Sequence, residues 1–126
     1  MKLIKLLLTL LIFSHQYVWA DLTPVGELNS RTYFIDLESI KKDGNFRMVW
    51  VITNLPSPGK NGELSWRNKD EYDCYEERSR NRLWSEHSEL LGKGATIREN
   101  SNPPPLWLRV RPESIQSKVL KIVCAK

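Results

Sequence analysis

Two cysteines, Cys74 and Cys124, constrain this chain more than any other feature. They are far apart in the sequence, without the close C-x-x-C spacing of redox and zinc sites. An even count in an exported chain reads as one structural bridge, with a single connectivity. Closing so long a loop stabilises a fold by about 4 kcal/mol on the chain-entropy account. Such a bridge needs an oxidising compartment, and the N-terminus supplies the route to one. Lys2 and Lys5 precede an apolar stretch from Leu6 to Phe13, and Val18 and Ala20 occupy the small-residue positions before a cut. That order predicts a signal peptide over residues 1–20, cleaved after Ala20.

The apolar core of this leader is much shorter than the ~20 residues that span a bilayer. Nothing later in the sequence is more apolar, so no transmembrane segment is expected. A lipoprotein would carry Cys at the cut, where Asp21 stands. The expected product is a non-lipidated periplasmic or secreted protein, with residues 21–126 as one compact domain. Losing the leader removes two of the 19 basic residues and none of the 15 acidic ones, so the net charge falls from +4 to +2. Basic and acidic residues then alternate without a concentrated stripe, which argues against a nucleic-acid partner.

Hydrophobic periodicity predicts strands at Arg31–Asp36, with a short turn capped by Asp36, and at Phe46–Thr53 after the Lys42-Asp43-Gly44-Asn45 turn. Phe46, Met48, Trp50 and Ile52 share one face of the second strand, and Val49 and Val51 the other. A strand apolar on both sides is central or covered twice, and Trp50 is expected in the core. Residues 56–62 form a Pro/Gly-rich loop. Through the polar stretch from Leu64 to Asn81, even positions from Tyr72 to Arg80 are expected on one face. Further strands are expected at 82–91, 95–99 and 106–111, the last after the stiff Pro103-Pro104-Pro105 connector. Glu113–Cys124 is read as a helix, since Pro112 suits a helix start and the apolar residues gather on one side; its β-branched residues leave a final strand as the alternative. The fold class is α+β: an antiparallel sheet of about six strands, with a C-terminal helix packed on one face and tethered by the disulfide.

Candidate chemistry is sparse. His87 is the one histidine beyond the leader, no nucleophile elbow surrounds a serine, and His87 is expected as an exposed strand residue. No catalytic residue and no metal site is assigned, and no cofactor: a haem pocket near Tyr72 and Tyr75 has no identifiable axial ligand. The acidic run Asp70, Glu71, Asp73, Glu76 and Glu77 lacks the glycine of a calcium loop and reads as a solvated face. Its partners would be Arg78, Arg80 and Arg82, which alternate along one strand. These arginines are also a candidate surface for an acidic or sulfated ligand. Arg109 and Arg111, flanking Trp107, form a second such patch. Trp66 and Trp107 sit among polar residues and complete the candidate binding surface.

The Tyr33-to-Asp36 strand with its Ser39-Ile40 turn, Val49-Trp50, Tyr72-Asp73-Cys74, the junction Arg111-Pro112-Glu113-Ser114 and the final Cys124 together resemble the surface-adhesin protein E family of bacterial exported proteins. The resemblance implies the same sheet and tethered helix, and a non-enzymatic, adhesin-like binding module. Its partners would be protein or glycan ligands outside the cytoplasm, of host or envelope origin, and it would be a possible homodimer. The lipid anchor of the family's name-giving adhesin has no cysteine here to carry it. A hydrolase with an unrecognised carboxylate site and a structural envelope component are the alternative readings.

Overall fold

The computed structural model describes residues 21–126; the leader expected over residues 1–20 and its cut after Ala20 lie outside the described residues. Within them the chain forms β1 (Leu22–Leu28), β2 (Arg31–Asp36), a 3-10 turn at Leu37–Ser39, β3 (Lys41–Asp43), β4 (Phe46–Asn54), β5 (Ser65–Asp73), β6 (Arg78–His87), a 3-10 turn at Leu90–Gly92, β7 (Thr96–Asn100), β8 (Leu108–Arg109) and α1 (Ile115–Cys124). The strands make one antiparallel sheet in the order β1-β2-β4-β5-β6-β7, while β3 pairs with β4 and β8 with β6. Six of the eight strands form the continuous path, with β1, which the periodicity does not predict, at its edge and β4 inside it.

One face of the sheet is set by Ile35, Val49, Val51 and Tyr72, all buried, and α1 closes it with Ile115, Val119 and Val123. The one-sided apolar arc of residues 113–124 explains this: it faces the sheet, while Lys118 and Lys121 are exposed. Ser114 caps the helix by accepting from Ser117 N–H at 3.0 Å, so α1 begins two residues later than expected. Glu113 stays outside it, in the left-handed region at φ 61°. Beneath the helix β1 carries Gly26, where a Cβ would lie 3.3 Å from Ile115 Cδ1 and 3.1 Å from Lys118 Nζ. The missing side chain lets strand and helix approach.

Cys74 and Cys124 are bonded, with their Cα atoms 5.7 Å apart. The bridge joins the turn between β5 and β6 to the last helical residue. Arg47 reinforces the same corner. Its buried guanidinium donates to Val123 O at 3.2 Å, Lys126 O at 3.5 Å and Gly44 O at 2.7 Å, so a cation sits at the negative end of the helix dipole.

Three sequence expectations change. The turn at residues 74–77 interrupts the period of two, so Tyr72 lies on the helix face while Arg78 pairs opposite Asp73 on the other. The segments expected as 64–81 and 82–91 therefore become the hairpin β5–β6. The strand expected over 106–111 shrinks to Leu108–Arg109, because proline-rich backbone cannot supply a full ladder. Asp70 is not part of a solvated acidic face; it lies on the helix side, and burial pushes its pKa up to about 6 despite a hydrogen bond from Asn81.

Candidate functional site

Alternation along β4, β5 and β6 turns a second set of side chains away from the helix. Residues opposite each other in register share a face, so Trp50 stands beside Lys69, Ile52 beside Arg67, Met48 beside Glu71 and Phe46 beside Asp73. Across the next pairing, Asp73 meets Arg78 and Glu71 meets Arg80. Phe46 is exposed on this face and Met48, Trp50, Arg67, Lys69, Arg78 and Arg80 are half-buried, with cations and indoles interleaved.

Trp107 reaches back over it from the proline connector. The guanidinium of Arg80 lies 4.4 Å from the centre of its indole ring and that of Arg78 4.6 Å, with the ring of Phe46 at 5.9 Å. Stacked guanidinium planes hold an indole electrostatically as well as by contact. Glu71 Oε1 accepts from Arg80 Nε at 2.7 Å and from Arg82 Nη1 at 3.0 Å, and Asp73 Oδ2 from Arg78 Nε at 2.9 Å. The partners foreseen for these arginines are thus partly in place. Burial opposes ionisation of Asp73, but hydrogen bonds from the Glu76 N–H, Arg78 and the Tyr75 N–H outweigh it and hold its pKa below the usual carboxylate value.

Toward the other end, Arg67 stacks on Trp50 at 4.4 Å and Lys69 Nζ lies 5.9 Å from the same ring. A cleft of about 360 Å³ opens here over Phe34, Trp50 and Ile52, with Arg67 and Asp36 in its lining. Its wall is the 3-10 turn Leu90–Gly92, pinned by Leu91 N donating to Asn54 Oδ1 at 2.7 Å and Gly92 N to Ser65 Oγ at 2.8 Å. Gly92 has φ +69°, and a Cβ there would come within 2.6 Å of the Arg67 side chain.

Of the candidate surface, Arg78, Arg80, Arg82 and Trp107 come together. Register sets Arg109 opposite Arg78 and so extends the same face. Arg111 is exposed in the segment leading to α1, beside a separate depression with Ser114 and Gln116. Trp66 lies on the helix side of the sheet, away from this group. Trp50, expected in the core, is half-buried on the open face. Arg67 and Lys69 were not singled out by the sequence, although their alternation with Trp66, Asn68 and Asp70 along β5 carried the signal.

His87 also departs from expectation. It is buried, and its Nε2 is 2.7 Å from the equally buried Ser85 Oγ, because residues two apart on a strand point the same way. Burial, and then the nearby charge of Arg67, lower its pKa. Its Nδ1 has no partner among the described residues, so none of their carboxylates orients the ring as a Ser-His-Asp site requires. Among the described residues, no three His, Cys, Asp or Glu side chains gather as metal ligands, and no helix is long and apolar enough to cross a membrane.

Comparison with solved structures finds the same fold in Haemophilus influenzae protein E. Crystal form II is 22% identical over 74% of this chain and 80% of that one, with a TM-score of 0.63. The selenomethionine form is 19% identical over 82% and 92%, with a TM-score of 0.62. A comparison with curated proteins finds no match. The family model for surface-adhesin protein E matches residues 19–125, a span that takes in the whole sheet, the helix and both cysteines. By that match the chain belongs to the surface-adhesin protein E family.

Proposed function

We propose that this domain is a non-catalytic binding module acting outside the cytoplasm, and that the sheet face opposite α1 is its contact surface for an acidic protein partner. The observation that carries the reading is the interleaving of Arg67, Lys69, Arg78, Arg80 and Arg109 with Trp50 and Trp107 on that face. Arginine and tryptophan are the residues that dominate binding hot spots, and Glu71 and Asp73 leave cations in excess there. Burial of Ser85 and His87 supports a packing role for them. Asp70, the carboxylate whose raised pKa best suits an acid catalyst, is on the opposite side and hydrogen-bonds Asn81.

Membership of an adhesin family and a disulfide across the fold support export, and maturation after Ala20 predicts Asp21 as the first residue of the exported protein. N-terminal sequencing of secreted and periplasmic material tests that directly. For the contact surface, oxidised domain is exposed to matrix and envelope protein fractions, the retained protein is identified, and its affinity is measured against salt. Binding that weakens with salt and drops at least about tenfold in Trp50→Ala and Arg109→Ala is the expected result. Affinity indifferent to salt and to both substitutions would place the contact elsewhere. Light scattering of the same material decides between monomer and the homodimer that the family allows.

A further inference from the structure

The helix does not cover all of its own side of the sheet. It packs mainly on β1 and β4, with Tyr72 of β5 in the same core, which leaves the outer part of that side, from Trp66 and Asn68 of β5 across β6 to β7, with a surface of its own. There Trp84 stands opposite Asn68 and Trp66 opposite Glu86, while Arg98 of β7 stands opposite Glu86 on the far side. These residues and Asn81 line a cleft of about 420 Å³, a volume within the range of small-ligand sites.

Each indole is steadied from one direction. Arg31 lies 4.8 Å from the ring centre of Trp66, and Arg98 5.3 Å from that of Trp84. The polar groups are less fully used. Glu86 accepts from Asn61 Nδ2 at 3.1 Å and meets Arg98 at 3.7 Å. Asn81 gives its amide to Asp70 and to two backbone carbonyls, while its buried Oδ1 has no partner among the described residues. Asn68 makes no side-chain hydrogen bond, and neither indole N–H donates one, within the described residues.

We propose that this cleft binds a neutral pyranose unit of a glycan. The chemistry of the walls selects that class. Glu86 and Arg98 cancel in charge, so the lining favours an uncharged ligand over an anion or a cation. A pyranose presents a flat C–H face that an indole can cover, and a rim of hydroxyls that both donate and accept. Asn68, Glu86, Arg98 and the indole N–H groups offer the complementary donors and acceptors. Leaving a hydroxyl-sized partner out of such a site is costly, which gives selectivity as well as affinity. The proposal rests on the reading of the domain as a binding module, though not on the arginine face.

The test is saturation-transfer NMR on the oxidised domain, with methyl glycosides of glucose, galactose and mannose, N-acetylglucosamine and N-acetylgalactosamine as probes and N-acetylneuraminic acid as the anionic arm. Saturable transfer to at least one neutral sugar is expected. Trp84→Ala should abolish it and Asn68→Ala weaken it by about tenfold, the loss of one or two hydrogen bonds, while Arg80→Ala leaves it intact. Asn68→Ala, at a side chain that holds nothing else, keeps the test open should Trp84→Ala fail to fold. Transfer to no neutral sugar, transfer to the anionic sugar alone, or transfer unchanged in Asn68→Ala and Trp84→Ala overturns the proposal. In those cases salt-dependent protein binding on the other face still decides the fate of the binding-module reading separately.

Discussion

Asp70 carries a conflict that its strand position creates and its neighbours only partly relieve. Alternation on β5 turns it toward the helix side, where desolvation favours the neutral acid, and Asn81 supplies one hydrogen bond to the carboxylate. Its folded pKa of about 6 lies above the 3.8 of the free side chain. The native state therefore binds the proton more tightly, and stability falls as pH rises from about 4 to about 6. Asp70→Asn removes that loss. Urea unfolding should find the variant more stable than the parent at pH 7 by about 1–3 kcal/mol, with the difference gone near pH 4. His87 works in the opposite direction. Its lowered pKa leaves full stability above its unfolded value of 6.5, and stability is lost as pH falls below that. Arg47 is the third telling residue. Replacing it by Met leaves helix-end carbonyls unpaired in a buried corner and should cost about 2–3 kcal/mol. From the sequence it was one more basic residue on a strand; only the tail of the chain coming back to it made it a cap.

Among the elements, α1 was the most legible. Pro112, the serine at position 114 and the apolar arc from Ile115 to Cys124 announce a helix despite its β-branched residues, and Ser114→Ala should cost about 1 kcal/mol through loss of the cap. A thermal melt measures it. The Leu90–Gly92 turn was legible as a turn through its glycines, yet its task was not. That it lies over β4 and β5, and that Arg67 fits beneath Gly92, follow from sheet order. Gly92→Ala should lower stability by about 1 kcal/mol or more through the positive φ and should displace Arg67 from Trp50, which Trp50 fluorescence in a background lacking the other indoles would register. The hairpin β5–β6 was misplaced because its turn, Cys74 to Glu77, contains no Gly or Pro. Instead Asp73 organises it by accepting from the backbone of Tyr75 and Glu76, and Glu77 adopts φ 51°. β1 escaped notice since Pro24 and Gly26 break a strand pattern; both are tolerated at a sheet edge and under a close-packed helix.

For the whole molecule, the disulfide and Arg47 fasten one helix end to the sheet from two sides. Reduction, or Cys74→Ala with Cys124→Ala, should lower stability by about 4 kcal/mol, read from urea midpoints with and without reductant, while the strands keep their far-UV signal if the sheet survives. Two sheet faces of different character result from this layering: one partly sealed by the helix, the other basic and facing away from it. The amino-acid sequence alone determined the α+β class, the bridge, the strands at β2 and β4 and the helix, because cysteine count, period and capping act over a few residues or fix a single pairing. Tertiary structure decided which residues share a face. One unmarked turn and a bulge opposite Lys69 and Asp70 reset the alternation along β6, separating Tyr72 from Arg78 and setting Trp66 with Trp84, while the unbroken β4–β5 register set Trp50 beside Arg67. A shift of one residue in register moves every later side chain to the other side of a sheet, and short-range pattern carries no memory of where that shift occurs.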